Sequence, residues 1–222
     1  MSEIKVNLPK TKLAMKANLP NKEPDILKYW DTINLYELQK QTFSKREKFI
    51  LHDGPPYANG DIHIGTALNK VLKDIVVKFQ SIGLQKYSPY VPGWDCHGLP
   101  IEWKIEELNK KKGVDKTKLS VNEFRGQCRD FASKWIDIQK NQFKRLGVIG
   151  DWENYYSTMS NEAEAIIAKE ILKFLKNGGL YKGYKPVLWS VVEKTALADA
   201  EVEYKDKVSN TIYAKFKINK KI

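Results

Sequence analysis

The chain has 222 residues, 38 of them Lys or Arg and 27 Asp or Glu, for a formal charge of +11 at pH 7. With 42% hydrophobic and 11% aromatic residues it has the material for a core, which argues against intrinsic disorder, while the basic excess points to a polyanionic partner. No run of eighteen apolar residues is present, and Met1-Ser2-Glu3-Ile4-Lys5 lacks the apolar region of a secretory signal, so a soluble, cytoplasmic protein is expected. Cys96 and Cys128 form neither a C-x-x-C zinc pair nor a disulfide framework, and both are expected to be reduced thiols.

Residues 1–47 mix Pro9, Pro20 and Pro24 with lysines and one helical pattern over 26–38, which predicts an arm that packs a helix onto the body. The apolar run 48–52 reads as a buried strand, ended by Asp53-Gly54-Pro55-Pro56. From Thr66, Leu68, Val71, Leu72, Ile75, Val76 and Phe79 recur at helical spacing until Gly83. A second short strand is predicted over 87–91, followed by the loop Pro92-Gly93-Trp94-Asp95-Cys96-His97-Gly98-Leu99-Pro100. Two strand-loop-helix units in series predict a parallel α/β sheet.

Ser120-Val121-Asn122-Glu123 is a capping box, and Phe124, Cys128, Phe131, Trp135 and Ile138 make an apolar stripe behind it that ends near Gly147. A further helix is predicted from Asn161 through Ile167, Ile171 and Leu175 to Gly178-Gly179. Residues 186–189 look like a strand, and 195–203 are ambiguous. Ile212, Ala214, Phe216 and Ile218 then alternate with polar residues as a one-sided strand. Such a strand needs neighbours to cover its apolar face, which suggests the front part of a longer protein.

All three histidines, His52, His63 and His97, fall at or beside the two loops that follow the predicted strands. Loops at the carboxyl ends of parallel strands are where open α/β sheets bind ligands. In the segment 55–66 two prolines stiffen the turn, Gly60 permits a positive φ, and Gly65 leaves the backbone open to a flat ligand. The helix that starts there would stabilise an anionic phosphate chain, with His63 donating to a phosphate oxygen. An ordinary Pro/Gly turn with a helix cap fits the same residues. Neither G-x-x-x-x-G-K-[ST] nor G-x-G-x-x-G occurs.

His63-Ile64-Gly65-Thr66, after Gly54-Pro55-Pro56-Tyr57-Ala58-Asn59-Gly60, resembles the "HIGH" signature of class I aminoacyl-tRNA synthetases, and its surroundings resemble the isoleucyl family in particular. The supporting segments are Leu8-Pro9-Lys10-Thr11, Gly93-Trp94-Asp95-Cys96-His97-Gly98-Leu99-Pro100-Ile101-Glu102, Arg145-Leu146-Gly147-Val148, Gly150-Asp151-Trp152 and the run from Ala196 to Tyr204, all in collinear order. The resemblance implies an α/β fold: an arm over 1–47, the first half of a Rossmann-like nucleotide-binding catalytic domain with parallel strands over 48–200, and the start of a β-rich editing insertion over 201–222.

The reaction it implies joins isoleucine and ATP, with magnesium, to isoleucyl-adenylate and then transfers the acyl group to tRNA. It assigns catalysis to His63, Gly65 and Thr66, and ATP binding to Pro56, Tyr57, Ala58, Asn59, Gly60, Asp61, Ile62, His63, Ile64, Gly65 and Thr66. Gly54, Pro55 and Asp95 would bind isoleucine, Asp95 through the substrate ammonium. Two departures matter. Thr66 replaces the last signature histidine, exchanging a ring donor for a hydroxyl. Trp189-Ser190-Val191-Val192-Glu193 stands where some members carry Cys-x-x-Cys, so no zinc is expected here. No "KMSKS" segment is present, so the isolated chain is expected to be inactive and the full-length enzyme to be a monomer. A non-catalytic nucleotide- or tRNA-binding module and a basic α/β domain without ligand are the competing readings, and lysine runs such as Lys110-Lys111-Lys112 fit a solvated face as well as an RNA contact.

Overall fold

Prolines limit how much sheet this sequence forms. The computed structural model describes residues 11–12 and 14–217; Leu8, Pro9 and Lys10 of the first matched segment, and Ile218 of the expected last strand, lie outside them. The runs expected as strands at 48–52 and 87–91 lie parallel but are not continuous strands. They meet at isolated bridges, Lys48 with Tyr87 and, beyond the predicted spans, Tyr57 with Asp95. Nine residues separate the bridges on the first run and eight on the second, so one residue is extra and the ladder opens between them. Pro55, Pro56, Pro89 and Pro92 have no N–H to contribute there. Regular pairing resumes where β1 (Gly93–Trp94) lies parallel to β2 (Tyr156–Ser157). Gly93 is required at that crossing, because a Cβ there would stand 2.1 Å from the Tyr156 ring.

The arm holds two helices rather than one. α1 (Leu19–Thr32) and α2 (Leu35–Phe43) are separated at Asn34, whose φ of 46° is left-handed, a conformation asparagine tolerates better than most residues. Glu23 of α1 pairs with Arg145 at 2.7 Å, and the Tyr36 hydroxyl of α2 donates to the Tyr90 carbonyl at 3.3 Å.

α3 (Ile64–Lys78) starts two residues before the expected Thr66 and runs on through a π turn at Phe79–Gly83. Its orientation overturns the apolar-stripe expectation. Lys70, Asp74, Val77 and Ser81 face inward, whereas Leu68, Leu72, Ile75, Val76 and Phe79 are exposed among the described residues. Lys70, Asp74 and Ser81 are each paired, the Ser81 hydroxyl donating to the Val77 carbonyl at 2.9 Å. Lys70 meets Asp53, and Asp74 accepts from Lys78 and from the Ile149 N–H at 3.0 Å.

The helix expected beyond the second loop is α4 (Leu99–Lys111), with Pro100 in its first turn and Lys110 and Lys111 in its last. α5 (Val121–Arg145) begins at the predicted capping box, the Ser120 hydroxyl accepting from the Glu123 N–H and the Glu123 carboxylate accepting from the Ser120 N–H. Replacing Ser120 by alanine is expected to destabilise the fold by about 1 kcal/mol, read as a shift of the urea midpoint. The buried line of α5 is Ala132, Ile136, Gln139 and Phe143, one position along from the expected stripe, whose Phe131, Trp135 and Cys128 are only half-buried.

α6 (Asn161–Lys176) is capped by Ser160 and closed by Gly178 at φ 72°. Of the expected 186–189 strand Trp189 lies in a hairpin of β3 (Trp189–Ser190) with β4 (Thr195–Ala196), and the Leu188 carbonyl extends it by accepting from the Leu197 N–H at 2.9 Å. Residues 202–217 form neither helix nor strand, and Ile212 and Phe216 are exposed, so the alternating strand is not seen there. The core gathers Ala58, Tyr90, Trp94, Ile136, Phe143, Val148 and Trp152 between the parallel runs and α5. Trp94 is its centre, edge-on to Tyr155 at 5.1 Å and tilted against Trp152 at 6.1 Å. No helix among the described residues is long and apolar enough to cross a membrane.

Candidate active site

Where the ladder opens, a side chain replaces the lost backbone bonds. Asp53 is fully buried, and one carboxylate oxygen accepts the Gly93 N–H at 2.9 Å and bonds Lys70. Its other oxygen accepts from Lys73 at 2.6 Å, and Lys70 also donates to the Tyr90 hydroxyl at 2.9 Å. Burial alone would raise the Asp53 carboxyl, but the two ammonium groups and the Gly93 N–H hold it below the usual carboxylate range. The cluster ties α3 to both parallel runs. Lys73 also donates to the Gly54 carbonyl at 3.0 Å, so Gly54 and Pro55 are held beside the strand end that carries Asp95.

The next residues form the loop into α3. The Asp95 N–H donates to the Pro56 carbonyl at 2.8 Å and the Ala58 N–H to the Asp95 carbonyl at 3.0 Å, which brings the two predicted loops into direct contact. Gly60 does not take the positive φ expected of it; its carbonyl is instead a fixed acceptor. His63 is the N-cap of α3, its Nδ1 accepting from the Gly65 N–H at 3.1 Å and the Thr66 N–H at 3.3 Å. With Nδ1 accepting, the neutral ring carries its proton on Nε2, at an exposed position. Two of the helix's free N–H groups are therefore taken by the histidine, and the imidazole itself becomes the outward donor. Gly65 makes this possible in a way the sequence did not suggest, since a Cβ there would lie 3.0 Å from His63 Cε1.

Asp95 is half-buried, its Oδ1 accepting from the His97 N–H at 3.3 Å and the Thr158 hydroxyl at 3.4 Å. Among the described residues no donor bonds its Oδ2, an arrangement suited to an ammonium. Of the other two loop histidines, His97 contributes that backbone donor and His52 stacks on Tyr156 with ring centroids 6.2 Å apart.

Two residues that hold the loop were missed by sequence reasoning. Gln139, only 3% exposed, donates from Nε2 to the carbonyls of Tyr57 at 2.9 Å and Gly60 at 2.7 Å, and accepts from the Trp94 indole at 3.0 Å. One turn later Gln142 donates to Asp61 at 2.6 Å and accepts from the Ile62 N–H at 3.1 Å. Their three-residue spacing was the available signal, but polar residues on a buried face do not register in an apolar pattern.

Comparison with known proteins places these features in context. The family model for class I tRNA synthetases (I, L, M and V) matches residues 25–217. An isoleucine–tRNA ligase of Pelagibacter ubique is 64% identical over 220 residues, which cover 99% of this chain and 24% of that protein. Those of Bradyrhizobium diazoefficiens and Zymomonas mobilis are 58% and 59% identical, covering 95% and 96% of the chain and 22% and 23% of theirs. The chain thus spans about a quarter of the length of the curated relatives it matches. Among solved structures, the LeuRS of Agrobacterium radiobacter K84, in a ternary complex with tRNA and LeuAMS, is similar with a TM-score of 0.61 and 25% identity over 83% of this chain and 21% of that one.

Proposed function

This chain belongs to the class I tRNA synthetase family, and on that premise we propose that it supplies the first half of the catalytic domain of an isoleucine–tRNA ligase. The observation that carries the reading is the parallel bridge between Tyr57 and Asp95, which sets the loop leading to the capped helix against a carboxylate with an open oxygen. Residues 48–200 would be the Rossmann-like half, 1–47 an arm, and 201–222 the start of an editing insertion. Isoleucine, ATP and tRNA would be the substrates of a cytoplasmic, monomeric enzyme, with magnesium arriving on the triphosphate.

In the proposed reaction an isoleucine carboxylate oxygen bonds to the α-phosphorus of ATP while the bond from that phosphorus to the bridging oxygen breaks, and pyrophosphate leaves with the electron pair. The His63 Nε2–H would donate to a phosphate oxygen, where negative charge grows during transfer. The Thr66 N–H is engaged by His63, so the Thr66 hydroxyl is the group left to serve in place of the usual ring. Asp95 Oδ2 would receive the substrate ammonium, with Gly54 and Pro55 beside it. Isoleucine-dependent pyrophosphate exchange by the complete polypeptide tests the reading; exchange driven equally by leucine or methionine, or no exchange with isoleucine, would reject it.

Asp95→Asn is expected to act mainly on binding, because the ammonium is charged before and during the reaction. A rise of roughly 10- to 100-fold in the KM for isoleucine is anticipated, with a smaller change in kcat. An unchanged KM removes Asp95 from the pocket.

A further inference from the structure

Gln139 uses both amide hydrogens and its carbonyl oxygen against backbone and core. Its amide nitrogen has two hydrogens, which go to the carbonyls of Tyr57 and Gly60 on either side of the Ala58-Asn59 turn, and its oxygen takes the indole proton of Trp94. Trp94 is wholly buried and immediately precedes Asp95. A single side chain on a 25-residue helix therefore grips the loop of the proposed ATP site and the strand end of the proposed amino acid site at once. Gln142 extends the grip to Asp61 and Ile62 but, among the described residues, makes no bond to the Asp95 side. A glutamine on the core face of a helix is unfavourable unless all its groups are paired, so its place here is explained by the carbonyls it holds.

We propose that Gln139 is a positioning residue that keeps the ATP-facing loop in register with the Asp95 strand, so that the two substrates meet with their reacting atoms aligned. This rests on the proposed isoleucine-activating function. The residue is buried and bonds the Tyr57 and Gly60 carbonyls and the Trp94 indole, so it acts through them, and its loss leaves Asp95 and His63 in the chain. Each substrate should still bind while their mutual placement degrades, a fault that appears in kcat rather than in KM.

The test is Gln139→Met in the complete polypeptide, with Gln139→Asn as a gentler variant whose shorter amide cannot span both carbonyls. Pyrophosphate exchange is measured per folded active site, and hydrogen–deuterium exchange is followed for peptides covering 56–66 and for peptides of α5. The expected result is a loss of about 10- to 100-fold in kcat for Gln139→Met and a smaller one for Gln139→Asn, with the KM values for ATP and isoleucine within threefold of the parent. Exchange should quicken in 56–66 while α5 remains protected. Uniform quickening across both segments would mean a merely structural residue and would overturn the proposal, as would a kcat within twofold of the parent. Should the unsubstituted protein lack isoleucine-dependent exchange altogether, the functional reading fails by itself, and the register role for this reaction falls with it even if the 56–66 loop alone loosens in the variant.

Discussion

Replacement of His63 by alanine is expected to lower the rate of isoleucine-dependent pyrophosphate exchange by about 100- to 1,000-fold, the size of effect seen when one donor to a developing charge is removed. The substitution has two separable consequences. Nδ1 caps α3 through the N–H groups of Gly65 and Thr66, so alanine also removes about 1 kcal/mol of helix-end stabilisation. Nε2 faces outward and is the group assigned to the phosphate. Asparagine at position 63 separates the two, since its side chain oxygen can cap the helix but offers no donor at the reach of Nε2. His63→Asn should therefore recover stability in thermal unfolding and leave the rate depressed, with isoleucine KM little changed in both variants. Turnover at the parent level in the asparagine variant would confine His63 to capping.

The features legible in the sequence were those in which local pattern and local structure agree. Ser120 and Glu123 announced the start of α5, and Gly178 the end of α6, because capping is decided within a few residues. The loop from Pro55 to Thr66 and the loop at Asp95 were both recognised, and the structure brings them into hydrogen-bonded contact. What escaped was set by partners distant in sequence. Apolar spacing placed the wrong side of α3 inward, because it has no means of seeing that Lys70 is neutralised by Asp53, seventeen residues earlier. The same blindness shifted the buried line of α5 by one residue, since Gln139 counts as polar until Tyr57, Gly60 and Trp94 are known to surround it. Asp53 was read only as a turn residue. Its role as a substitute for sheet hydrogen bonds depends on the extra residue between two bridges, which a strand pattern does not encode.

Asp53→Asn is expected to have the largest effect on stability, roughly 3–5 kcal/mol, the usual result of removing one member of a buried ion pair. The substitution keeps size and shape but leaves the buried Lys70 ammonium without its counter-charge, and the amide cannot accept from Gly93, Lys70 and Lys73 as two charged oxygens do. Domains are held by only 5–15 kcal/mol in total, so this is a large share. Lys70→Met should be milder, because Asp53 would keep Lys73 and the Gly93 N–H, and methionine fills the channel along which the lysine stem runs. The pH dependence has a defined sign. The Asp53 carboxyl is depressed in the folded protein, so the folded state binds fewer protons than the unfolded one and stability rises with pH. That contribution is fully present above the unfolded value near 3.9 and is lost as pH falls through the lower folded value. Urea unfolding followed by tryptophan fluorescence should show the parent losing this increment below about pH 4, with the difference between parent and Asp53→Asn shrinking there. A difference under 1 kcal/mol at pH 7, or one that does not shrink in acid, would show that the cluster holds the sheet end by packing and not by charge.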